Sequence, residues 1–114
     1  MTDKPELEFH APDAPWRQPD GAAEGIWEQT LTEDSDGANV TLLQRYEPGV
    51  DTTAHGVLTH TFWEEVFLVG GDLRDLTLGT TFEAGMYACR PPGMPHGPYR
   101  SDNGCTMIVN CRRA

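Results

Sequence analysis

Three of the four histidines, His55, His60 and His96, fall in the strand-rich part of the sequence, and His60 and His96 sit in contexts that could bind a metal ion together with Glu64. His60 precedes Glu64 by four positions, with Thr61, Phe62 and Trp63 between them, and His96 closes the segment Arg90-Pro91-Pro92-Gly93-Met94-Pro95-His96. Two imidazoles and a carboxylate form the donor set of non-haem Fe(II) sites, and they also accept Zn, Mn, Ni or Co. Four residues of straight strand hold side chains about 13 Å apart, so the chain must turn or bulge at Thr61–Trp63 if His60 and Glu64 are to share an ion. Three prolines and a glycine before His96 make a rigid turn that fixes the direction of its ring, as a ligand or a base requires. On spacing alone, ordinary surface or satisfied histidines are the competing interpretation.

The elements that must position these groups are short. From Gly25 onward, apolar or alternating stretches (Ile26–Leu31, Val40–Tyr46, Trp63–Val69, Leu73–Leu78, Met86–Arg90, Thr106–Cys111) are broken by turn residues at Asp34–Gly37, Glu47–Asp51, Gly70–Asp72, Gly79–Thr81, Pro91–Pro95 and Ser101–Gly104. Strands at this pace, without a helical period longer than two turns, predict an all-β sandwich or barrel over 23–114. Residues 1–22 carry Pro5, Pro12, Pro15 and Pro19, too closely spaced for a helix, and read as an acidic, extended arm.

Length and charge narrow the function. At 114 residues the chain holds one domain, large enough to fold without disulfides or a structural metal. The net charge is −10, and residues 1–36 hold ten acids against Lys4 and Arg17, so no basic patch exists for nucleic acid or an anionic membrane. No apolar run approaches a membrane span, and residues 1–20 lack the basic start and apolar middle of a signal peptide, which points to the cytoplasm. Cys89, Cys105 and Cys111 have no CxxC spacing and read as buried thiols. Phosphate-binding loops, nucleophile elbows and zinc-finger spacings are absent, and Ser35 and Ser101 both fall in turns, which leaves no support for a Ser/His/Asp triad.

The spacing Gly85-(x5)-Pro91-x-Gly93-(x2)-His96 resembles the second motif of the cupin superfamily, and Gly49, His60, Glu64 and Gly71 resemble its first. The first motif is altered. Counting back from Glu64, its leading histidine falls on Leu58, whereas counting forward from Gly49 it falls on His55, a discrepancy of three residues. Residues 16–112 are similar in layout to small cupins akin to the ChrR-type anti-sigma-factor cupin domain. The resemblance implies an antiparallel jelly-roll barrel of six to eight strands, a divalent metal (Fe, Mn, Ni or Zn) on His60, Glu64 and His96 with His55 as a possible fourth ligand, and a homodimer. It further implies a small-molecule substrate, with dioxygenase-type oxidation of a ketone or diketone leading. A non-redox isomerase, lyase or cyclase is the second expectation, and a non-catalytic metal- or ligand-binding module the third.

Around this set, Tyr87 and Tyr99 flank the His96 turn as candidate acids or substrate-orienting groups, while Arg90 and Arg100 suggest either an anion contact or surface ion pairs. Glu64 and Glu65 must face opposite sides of a strand, and the family register selects Glu64. Leu42, Phe62, Trp63, Phe67 and Leu68 are candidates for an apolar pocket or for plain core. Cys89 shares a face with Tyr87 and lies near the metal if that face is inward. Met86, Met94 and Met107 read as core filler.

Overall fold

A computed structural model describes residues 8–114. Eight antiparallel strands curl into a half-barrel: β1 (Ile26–Glu33), β2 (Val40–Tyr46), β3 (Val50–Asp51), β4 (Trp63–Asp75), β5 (Thr80–Glu83), β6 (Tyr87–Arg90), β7 (Tyr99–Ser101) and β8 (Cys105–Arg112). The pairing order is β1-β2-β8-β4-β7-β3, with β5 and β6 also on β4. Among the described residues the helical content is one 3-10 turn, Thr53–His55. No described helix is long and apolar enough to cross a membrane.

Strand β4 is the spine. Its first half pairs with β6 and β8 and its second half with β5 and β7, so one strand serves both faces of the curl. The break expected at Gly70–Asp72 is instead a bulge within this strand, where the β8 register shifts between Leu68 and Gly70. Gly71 makes the bend possible: its φ is 83°, and a Cβ there would collide with the Gly104 carbonyl. The reversal after β4 falls at 76–79, where Asp75 Oδ1 accepts from the backbone N–H groups of Thr77 and Leu78.

Alternation sorts the side chains. On β8, Cys105, Met107 and Val109 are buried while Ile108 is exposed; on β4, Val66 and Leu68 are buried while Phe67 and Val69 face out. Ile26, Leu73 and Tyr99 complete the interior. Within the arm, residues 8–22 form no strand beyond an isolated bridge between Arg17 and Glu28, yet they are tied down. The buried Gln29 side chain donates to the Ala14 carbonyl at 2.8 Å, and Arg45 stacks over the Trp16 ring. Residues 1–7 of the arm lie outside the described residues.

Candidate metal centre

His60, Glu64 and His96 converge, with one ligand atom from each lying within 4.8 Å of the others. The backbone explains how. Leu58 and His96 form an isolated antiparallel bridge with both N–H···O contacts at 2.9 Å, and the Gly93 N–H donates to the His60 carbonyl at 2.8 Å. These three bonds zip 58–60 against the Pro-rich turn and bring the two imidazoles to a centroid distance of 4.9 Å. The chain then bends at Thr61 and Phe62 before β4 begins at Trp63, which meets the turn required for His60 and Glu64 to approach.

Glu64 Oε1 stands 3.8 Å from His60 Nε2 and 3.9 Å from His96 Nε2. Both separations exceed hydrogen-bond reach, so the three groups face one another across a gap. The His96 side chain is 7% exposed, and its Nε2 is a buried side-chain atom without a hydrogen-bond partner among the described residues. Burial, reinforced by the Arg90 guanidinium, lowers the His96 pKa to about 4 against the pull of Glu64, so the ring is neutral at pH 7 and keeps a lone pair. An orphaned neutral imidazole nitrogen facing a second imidazole and a carboxylate suits a divalent ion.

A second layer of contacts fixes these donors. Arg90, directly across from Glu64 in the β4–β6 register, donates from Nη1 to Glu64 Oε1 at 2.7 Å and from Nη2 to the Tyr99 hydroxyl at 2.7 Å. The same hydroxyl lies 3.2 Å from His96 Nδ1. Phe62 stacks on the His60 ring at 4.7 Å. Burial pushes the Tyr99 phenol up to about 12, so it stays protonated. The group opens into a cavity of about 440 Å³, of a size for a small organic ligand. Leu42, Leu58, Phe62, Val66 and Val109 supply apolar wall, and arm residues Pro19–Ala23 border it.

The other sequence candidates divide among the cavity wall, the core and the surface. His55 borders the same cavity, but its Nε2 is 2.7 Å from the Gly21 carbonyl, and His55 is not part of the cluster. Leu58, two residues before His60 and opposite His96, also lines the cavity. Tyr87 is 57% exposed on the outer face and donates to Glu65 Oε2 at 2.8 Å. Cys89 shares that outer face and is exposed rather than buried, because β6 turns Arg90 inward. Arg100 makes an exposed pair with Asp102. Of the pocket candidates, Leu42 and Phe62 line the cavity, Leu68 is core, and Phe67 and Trp63 face out, with Trp63 beneath Arg112. Met107 is core filler, whereas Met86 and Met94 are exposed.

Among curated proteins, none matches this sequence. Solved structures match the fold at low identity. An RmlC-like cupin from Shewanella frigidimarina superposes with a TM-score of 0.72 at 18% identity, over 96% of this chain and 92% of its own. An acetylacetone dioxygenase from Acinetobacter johnsonii gives 0.72 at 18% identity over 98% and 78%. A polyketide cyclase from Streptomyces resistomycificus gives 0.74 at 20% identity over 93% and 78%. A family model described as the ChrR cupin-like domain matches residues 5–113, and the chain belongs to that family.

Proposed function

We propose that the chain is a metal-dependent enzyme that converts a small ketone- or diketone-like molecule, with dioxygenase-type oxidation as the leading reaction. The observation that carries this reading is the gap between His60, Glu64 and His96, with a buried, unpaired Nε2 on its rim. Those three residues are the proposed ligands. A divalent ion held there supplies Lewis acidity toward ketone oxygens and, if redox-active, electrons for reaction with O2.

The remaining steps belong to the protein. For His96 to offer its Nε2 lone pair, Nδ1 must carry the proton and donate it to the Tyr99 oxygen. Arg90 donates to the same oxygen, so the Tyr99 O–H proton is left to point at a ligand, where it can orient or protonate a developing enolate oxygen. Arg90 holds the Glu64 carboxylate in place. Leu58, Phe62 and Val66 keep water from the reacting carbons. His55 is proposed to anchor the arm rather than bind the ion.

A second reading, a metal-sensing module that performs no turnover, is favoured by the ChrR cupin-like family membership. Oxygen uptake measured beside loss of diketone absorbance in metal-loaded protein separates the possibilities. Matched consumption of both, absent in His96→Ala, supports the oxygenase. Diketone loss without oxygen uptake supports the isomerase, lyase or cyclase alternative. Tight metal with no turnover supports sensing. A cytoplasmic homodimer completes the proposal, consistent with three free cysteines and with the apolar residues Leu43, Phe67 and Ile108 adjacent on the outer sheet face.

A further inference from the structure

The cavity contains a second polar group that the metal reading leaves unused. Glu28 on β1 and Gln44 on β2 are cross-strand neighbours, both line the cavity, and the Gln44 amide donates to Glu28 Oε2 at 3.2 Å. Among the described residues the Glu28 side chain has no other hydrogen bond and no ion pair. A carboxylate offers about four acceptor positions, so most of its capacity is unspent, on a wall that also carries Ile26, Leu42, Tyr46 and Met107.

The β8 register gives its offset from the metal centre along the strand direction. Glu64 pairs with Cys111 and Gln44 with Met107, four residues apart on one strand, roughly 13 Å along the sheet. Between them Cys111, Val109 and Met107 all present side chains to the cavity. Both carboxylates border this interior. A ligand filling the cavity strips water from Glu28, and a buried carboxylate without a donor is costly.

The geometry points to Glu28, steadied by Gln44, as a specificity residue for a ligand that carries a metal-chelating ketone pair at one end and a hydroxyl or ammonium donor at the other. This rests on the metal-chelate reading above. A molecule that lacks the far donor is rejected, because it leaves the carboxylate desolvated and unpaired.

Titration calorimetry on metal-loaded protein tests this with benzoylacetone and its para-hydroxy and para-aminomethyl derivatives. Wild type should bind at least one substituted probe about tenfold or more tightly than benzoylacetone. Glu28→Leu should erase that preference by tightening benzoylacetone toward the substituted probes, with metal content unchanged. Glu28→Gln, which preserves side-chain shape and removes the charge, should weaken the aminomethyl probe more than the hydroxy probe, and the tighter-binding probe in wild type identifies the preferred donor. Equal binding of all three probes to wild type, or a preference that survives Glu28→Leu, overturns the role of Glu28 and leaves the metal site standing. Failure of every probe to bind, or binding that does not need metal, overturns the chelate reading and this inference with it.

Discussion

Glu64 Oε1 faces two histidines across the gap while taking a hydrogen bond from Arg90. Arg90 and Tyr99 close a chain from Glu64 to His96, so the donor atoms are oriented before any ion arrives. Arg90→Met leaves a carboxylate that is 14% exposed without its cation, and should cost roughly 3 kcal/mol in urea unfolding of metal-free protein, with part of the loss recovered on adding metal. Tyr99→Phe should keep its metal and lower kcat by about a hundredfold, as expected for a lost proton donor. Unchanged kcat in that variant would remove Tyr99 from the chemistry. At this scale His60, Glu64 and His96 were legible because the motif spacing names them. Arg90 was not, because its inward direction depends on pairing opposite Glu64, a tertiary fact. Cys89 was misjudged as buried for the same reason, since whether its face of β6 points inward is also set by that pairing.

Strand β4 has to change partners without ending, and Gly71 is where that happens. Gly71→Ala meets both a positive φ and the Gly104 carbonyl, and should cost about 2 kcal/mol or more, read as a lowered Tm. Asp72 follows it and ties β4 to the turn before β8: its carboxylate accepts from the Asn103 side chain at 2.6 Å and from the Asp102 N–H at 3.1 Å. The Asn103 side-chain bond is the main cause that holds the Asp72 pKa below its ordinary value. The unfolded chain therefore takes up a proton first as pH falls. The stabilisation is present above about pH 4 and is lost as pH drops through the folded value. Asp72→Asn should flatten the acid limb of a stability-against-pH curve relative to wild type. Strands β1, β2, β6 and β8 were legible from apolar alternation. Two-residue β3 and three-residue β7 are too short to show a period and exist only through pairing, β3 on β7 and β7 on β4, while glycines in the β4 bulge imitated a turn.

On the whole molecule, the outer sheet face exposes Phe67, Val69, Tyr87 and Ile108, large apolar groups that a lone copy leaves in water. If two copies associate through that face, Phe67→Glu should shift sedimentation from dimer to monomer without changing metal content. Residues 19–23 border the cavity, where the Gly21 carbonyl meets His55, and Gln29 fixes an earlier part of the arm at Ala14. His55→Ala should retain full metal while exposing residues 19–23 to faster limited proteolysis. Loss of metal in that variant would instead make His55 a ligand. The arm's extended character was legible from its prolines, but its place against the cavity was not, because backbone carbonyls make those contacts and leave no mark in residue types.

The central claim is that His60, Glu64 and His96 hold one divalent ion. Elemental analysis of protein purified without an affinity tag, beside His96→Ala, tests it most directly. The account predicts about one Fe, Mn, Ni or Zn per chain in wild type and none in the variant. Full occupancy in His96→Ala, or a wild-type protein that takes up no divalent metal at all, would contradict it.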